Sequence, residues 1–268
     1  MLPRFICQDF SDEGLKIWME EEKEQFIKIL MRRLNYNKFD GIVFECGVMT
    51  LIEDIADLYE NFIRSLYLAL NKQGKLLIIT IYPYSENFVQ YLTKSRFESV
   101  SQYVDYFHLM TYDYFSYQSK EYNFILFNVF RIDNFRYFNS PFSWIEQSIE
   151  HYIELSNKNL ESLLKKILLG VPFYGANTRL DAERSKLNIL DGDIISEMLK
   201  ADVFFNMVWN ENEKENIFYS TYEGINFLGL YPTKNFIKER LSFVLENKLG
   251  GVGIWELSQG LDKFYDEF

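Results

Sequence analysis

The feature that most constrains the fold is an alternation repeated along all 268 residues: short apolar runs separated by stretches with apolar residues at helical spacing. Repeated strand–helix units of this kind build a parallel sheet covered by helices. The run Lys75-Leu76-Leu77-Ile78-Ile79-Thr80-Ile81 is almost wholly apolar, as a strand buried on both faces must be. Runs at 4–9, 39–47, 104–112, 167–175 and 251–256 bring the number of expected core strands to six. Ser11 and Asp12 can cap a helix that continues through Trp18, Phe26, Ile29 and Leu34. A second stripe, Ile55, Tyr59, Phe62, Ile63, Leu66 and Leu70, lies on one helical face and stops at Gly74. Further stripes run through Trp144, Ile145 and Ile149, and through Phe236, Ile237, Leu241 and Val244. Between 176 and 232 the pattern changes to a helix near 191–200 and strand-like runs at 205–210, 217–222 and 226–231. This reads as a small α+β insertion inside one domain spanning 1–268.

Charge and hydropathy remove several classes of function. The net charge is -11 and no basic run exceeds Met31-Arg32-Arg33, so nucleic acid is not an expected partner. No apolar stretch approaches the roughly 18 residues needed to span a bilayer. Met1-Leu2-Pro3-Arg4 does not read as a signal peptide, because Pro3 and Arg4 interrupt it at once. Cys7 and Cys46 have neither metal-ligand nor redox spacing. They fall in strands expected to be neighbours, which allows a disulfide, but the reading taken here is a pair of buried reduced thiols. No metal and no cofactor is expected. The 25 Phe and 19 Tyr fill a core and also supply flat faces on which sugar rings can stack.

Four segments, each closing a strand, carry a resemblance. Asp40-Gly41-Ile42-Val43-Phe44-Glu45-Cys46-Gly47 resembles the fourth-strand signature of family 18 glycoside hydrolases, where Asp-Gly is followed by acidic residues at alternate positions and ends in Glu. His108-Leu109-Met110-Thr111-Tyr112-Asp113 resembles the sixth-strand Met-x-Tyr-Asp motif. Leu169-Gly170-Val171-Pro172-Phe173-Tyr174-Gly175 resembles the seventh strand and Ile254-Trp255-Glu256 the eighth. The tail from Ile254 to Asp266, together with Leu2-Pro3-Arg4 and Val208-Trp209, is similar to the chitinase-domain-containing, stabilin-interacting chitinase-like branch of that family.

The resemblance implies a (β/α)8 TIM-type barrel with its site at the C-terminal mouth of the strands. The chain opens at what resembles the third strand, so the barrel is expected to be incomplete at its N-terminus. The stretch 118–140 contains Phe124-Ile125-Leu126-Phe127, too apolar for a solvated loop. A gene model with a lost first exon and a translated intron accounts for both features, and an organism-specific insertion is the rival account. The resemblance further implies a secreted or lysosomal location and, besides an oligosaccharide ligand, a scavenger-receptor-type protein partner.

Hydrolysis in the family is substrate-assisted: the sugar's N-acetyl oxygen attacks, a Glu protonates the leaving oxygen, an Asp orients the acetamido group and a Tyr hydrogen-bonds to it. Alternate residues of a strand share a face, so 41, 43, 45 and 47 point the same way. Where the family pattern has Asp, Asp and Glu, this chain has Val43, Glu45 and Gly47. Gly47 has no proton to give, and general acid catalysis contributes about 10²- to 10⁴-fold. Glu45 is the substitute acid to weigh, although it lies roughly 6 to 7 Å deeper along the strand; its alternative role is a buried, hydrogen-bonded residue of the sheet. Tyr112, Asp113 and Trp255 match the sugar-binding parts of the pattern, with Tyr174 and Met110 beside them. Asp9 ends the first strand at the same rim, and His151 is expected on a helix surface. The expected function is a chitinase-like binder of chitooligosaccharide or related N-acetylated glycans that does not cleave efficiently. The alternatives are a weak glycosidase acting through Glu45 and a partner-interaction protein.

Overall fold

A computed structural model describes the chain apart from residues 8–10, 47–52, 86–92, 118–137, 157–159, 181–186 and 202–203. The elements follow in the order β1 (Arg4–Ile6), α1 (Asp12–Glu20), α2 (Lys23–Tyr36), β2 (Gly41–Glu45), α3 (Glu53–Asn71), β3 (Leu76–Ile81), α4 (Lys94–Ser101), β4 (Tyr106–Leu109), α5 (Tyr114–Tyr117), α6 (Phe142–Glu154), α7 (Leu160–Leu164) and β5 (Ile167–Pro172). They continue with β6 (Gly175–Arg179), β7 (Asn188–Leu190), α8 (Gly192–Lys200), β8 (Phe204–Asn210), β9 (Glu215–Tyr222), β10 (Ile225–Leu230), α9 (Lys234–Glu246) and β11 (Gly251–Trp255). One six-stranded sheet runs β1-β2-β3-β4-β5-β11, the parallel α/β arrangement and the strand number that the alternation predicts. A second, antiparallel sheet runs β7-β6-β10-β9-β8. Among the described residues no helix is long and apolar enough to cross a membrane.

Two compact units divide the chain. The first comprises Met1–Met110, Ile149–Leu168 and Lys248–Gly251. In it, Ile42 and Phe44 of β2 are fully buried, and Phe44 stacks on Phe5 of β1 at 5.6 Å and on Phe62 of α3 at 5.4 Å. Trp18 and Phe26 complete this aromatic layer, edge to face at 4.7 Å. The single helix expected from Ser11 to Leu34 is in fact two, α1 and α2. Residues eight apart in one helix lie about 12 Å apart along its axis, so the break at Glu21-Glu22 is what lets the two rings meet. Ser11 caps α1 as expected, its Oγ accepting from the Gly14 N–H at 3.1 Å. Gly41 is required by close approach: a Cβ there would lie 2.1 Å from the Leu76 carbonyl oxygen of β3.

Three further expectations are corrected in this unit. Cys7 and Cys46 form a disulfide, not reduced thiols. The register Ile6↔Glu45 sets the next residues of β1 and β2 side by side, with Cα atoms 5.0 Å apart, inside the bridging range. His151 is half-buried, not on the surface, with its ring 5.3 Å from both Tyr84 and Tyr152, and burial pulls its pKa down. The strand expected at 104–112 ends at Leu109; Met110 N–H still bonds to Ile81 O at 3.1 Å, and the chain then leaves the ladder.

The second unit comprises Thr111–Ser148, Leu169–Asn247 and Val252–Phe268. The strand expected to run through Gly175 stops at Pro172, and Gly175 opens β6 in the antiparallel sheet. Within 176–232 the expected helix and three strands are present at α8, β8, β9 and β10, joined by β6 and β7. Asp191 caps α8 by accepting from Ile194 N–H at 2.9 Å, and Thr233 caps α9. Phe218, Phe236, Ile237, Phe173 and Phe264 form the buried core under this sheet.

Candidate functional site

Tyr112 and Asp113 follow β4 in an irregular stretch, Tyr174 lies in the two-residue step between β5 and β6, and Trp255 closes β11. All four belong to the second unit. The Tyr112 ring, almost fully buried, stacks with the half-buried Trp255 ring, centroids 6.4 Å apart and planes 27° from parallel. Trp255 is held by its own carbonyl, which accepts from Phe173 N–H at 2.8 Å. Thr111 anchors the other side, its hydroxyl donating to Gly170 O at 2.8 Å.

Asp113 adopts a left-handed backbone conformation, φ 62°, which turns the chain after β4. Its carboxylate accepts a hydrogen bond from the Tyr174 hydroxyl. Burial pushes the Asp113 carboxyl above the ordinary carboxylate range, and the bond from Tyr174 pulls it partly back. Burial also holds the Tyr174 phenol well above its usual value, and the Asp113 charge adds to that. A buried acid and a phenol that share a proton in this way can offer one oxygen to an incoming hydroxyl or amide, beside an apolar ring face.

Asn139 is the residue that sequence reasoning missed. Its Oδ1 accepts from Asp113 N–H at 2.8 Å, its Nδ2 donates to Tyr174 O at 3.3 Å, and its carbonyl accepts from Tyr114 N–H at 3.0 Å. Glu215 of β9 accepts from the backbone N–H groups of Asn139, at 3.1 Å, and of Ser140. Arg240 of α9 donates to Ser140 O and to Lys214 O at 2.6 Å, lies 3.5 Å from the Phe236 ring centroid, and approaches the Glu215 carboxylate to 3.9 Å. Both ionic groups are fully buried: burial pushes Glu215 up to about 7, with Arg240 pulling it back, and pulls Arg240 down to about 10. One signal for this was present, since position 240 sits on the buried stripe between Phe236 and Val244, where a cation needs a partner.

Glu45 is placed in the first unit, where Arg4 donates to both of its carboxylate oxygens, one bond measuring 2.6 Å. Of the expected buried, hydrogen-bonded residue, the burial is corrected: Glu45 is hydrogen-bonded and ion-paired but part-exposed. Met110 ends the first segment of that unit and is half-buried. Gly47, Asp9 and the apolar run 124–130 lie outside the described residues.

The chain matches the family described as glycosyl hydrolases family 18 over residues 9–260. Solved structures share its fold at low identity. A chitinase from Chromobacterium violaceum ATCC 12472 aligns at TM-score 0.75 and 16% identity, covering 98% of this chain and 76% of that one. The spore cortex-lytic enzyme SleL of Bacillus megaterium QM B1551 aligns at TM-score 0.75 and 13% identity, covering 98% and 58%. A Group IV chitinase from Ostrinia furnacalis, in complex with allosamidin, aligns at TM-score 0.72 and 16% identity, covering 96% and 72%. With the family match spanning most of the sequence and the four motifs closing strands in family order, this chain belongs to family 18 of the glycosyl hydrolases.

Proposed function

We propose that this protein binds chitooligosaccharide or related N-acetylated glycans at the cluster of Tyr112, Asp113, Tyr174 and Trp255, and does not cleave them efficiently. The observation that carries the binding half is the meeting of the stacked Tyr112–Trp255 rings with the Asp113–Tyr174 hydrogen bond in one unit. An aromatic plane takes the apolar face of a pyranose, and a buried carboxyl beside it selects a donor such as an acetamido N–H. The chitinase structures that share the fold agree with an N-acetylated ligand. The non-cleaving half rests on chemistry: Gly47 has no acidic side chain, and both carboxylate oxygens of Glu45 are engaged by Arg4.

A weak glycosidase acting through Glu45 is the second reading; it needs that ion pair to open. A third, a partner-interaction protein of the stabilin-interacting branch, takes its support from the sequence of the tail alone. The Cys7–Cys46 bridge favours a secreted or lysosomal setting, since disulfides persist in oxidising compartments. Calorimetric titration with chitotetraose tests the binding half. Stacking contributes about 1 kcal/mol beyond area burial, so Trp255→Ala is expected to weaken binding about fivefold or more. Equal affinity of the two proteins would remove this platform from the site.

A further inference from the structure

We propose that Glu215 positions the Asp113–Tyr174 pair from the antiparallel sheet, acting through Asn139. The inference deepens the binding reading above, and its sugar arm rests on that reading. The link is built of consecutive hydrogen bonds. The two Glu215 oxygens take two successive backbone N–H groups, Asn139 and Ser140, and so fix the orientation of that peptide link. Both ends of the Asn139 side chain are then committed, one to Asp113 and one to Tyr174. A single residue thus ties together the two segments that carry the site's hydrogen-bonded pair. The tie falls on a residue in a conformation that side chains disfavour: Asp113 is left-handed and carries a Cβ. The Asn139 bond to its N–H holds it there.

The ionic character of position 215 fits this role. A buried carboxylate carries a desolvation cost, and an apolar side chain could fill the space without it. Its two oxygens let it take the two adjacent N–H groups one each. Arg240 straddles the same two segments, binding Ser140 O on one and Lys214 O on the other, so the charge that offsets Glu215 also clamps the peptides it holds.

The test is a double-mutant cycle read by residue-resolved hydrogen exchange on the whole chain. Glu215→Gln and Asn139→Ala are each expected to speed exchange of the Asp113 amide about tenfold, the loss of one hydrogen bond to or through a charged group. The double variant should match either single one, because both break the same chain of bonds. Amides of the β9–β10 ladder, Tyr219 and Leu228, should keep their rates. If Glu215→Gln does not fold, Glu215→Asp, one methylene short of both N–H groups, takes its place in the cycle. Unchanged Asp113 exchange in the Glu215 variant, additive effects near a hundredfold, or equal acceleration across the ladder would each overturn the proposal. In parallel, chitotetraose affinity should fall about tenfold in the Glu215 variant. If the wild-type protein binds no chitotetraose, the binding reading fails, while the exchange cycle still decides whether Glu215 positions Asp113.

Discussion

The bridge between Cys7 and Cys46 gives a prediction whose size follows from the chain itself. The two residues are 39 apart in sequence and lie at the ends of adjacent parallel strands. In the chain-entropy account, closing a loop of that length removes enough freedom from the unfolded state to stabilise the native one by about 4 kcal/mol at 25 °C. The replacement Cys7→Ser/Cys46→Ser leaves β1 paired to β2 through its backbone bonds and the Arg4–Glu45 ion pair, so the effect falls mainly on the unfolded state. Urea unfolding followed by tryptophan fluorescence, with and without reductant, reads it. The oxidised protein should lose roughly 2 to 4 kcal/mol on reduction, and the double serine variant should be indifferent to reductant. Two titratable thiols in the denatured, non-reduced protein, or identical midpoints in all four conditions, would refute the bridge.

Three further outcomes follow. Gly47→Glu alone should not create measurable turnover of a fluorogenic chitobioside, because Val43 also replaces an acidic residue of the pattern; clear turnover would mean that one carboxyl suffices. Tyr174→Phe removes the donor to buried Asp113 and should cost about 1 to 3 kcal/mol in urea unfolding, whereas an unchanged midpoint would show that the bond contributes nothing. Glu215 titrates near 7 in the fold against about 4.5 when exposed, so the native state binds its proton more tightly than the unfolded one does. The stability it contributes is full below about pH 4.5 and is lost as the pH rises through about 7, so wild type should lose ground to Glu215→Gln across that window; a constant difference between the two would contradict the shift.

Much of the fold was legible because it rests on local pattern. The apolar runs and helical stripes located all six parallel strands, and of the motif residues Tyr112 stacks with Trp255 while Asp113 is hydrogen-bonded by Tyr174. Strand ends were not legible, since they are set by backbone partners: β4 stops at Leu109, ahead of the left-handed turn at Asp113, and the run ending at Gly175 splits because Gly175 pairs with Leu190 instead. The break between α1 and α2 was hidden too. Periodicity records which residues face the core, but not that Trp18 and Phe26 must reach the same rings. Asn139 and Glu215 lie 76 residues apart and carry no shared motif, so only folding brings them together. The exposure of Glu45 was not legible because strand parity gave its face but not the ion pair with Arg4, two residues along the neighbouring strand from its register partner Ile6.

The central claim is that this family 18 chain holds an N-acetylated glycan without cutting it. Incubating the protein with excess chitotetraose, resolving the sugars by mass spectrometry and titrating the same preparation calorimetrically tests both halves at once. The account predicts saturable binding at a single site, weakened by Trp255→Ala, with the tetrasaccharide recovered intact. Shorter oligosaccharides accumulating in proportion to wild-type protein, and disappearing in Glu45→Gln, would contradict it.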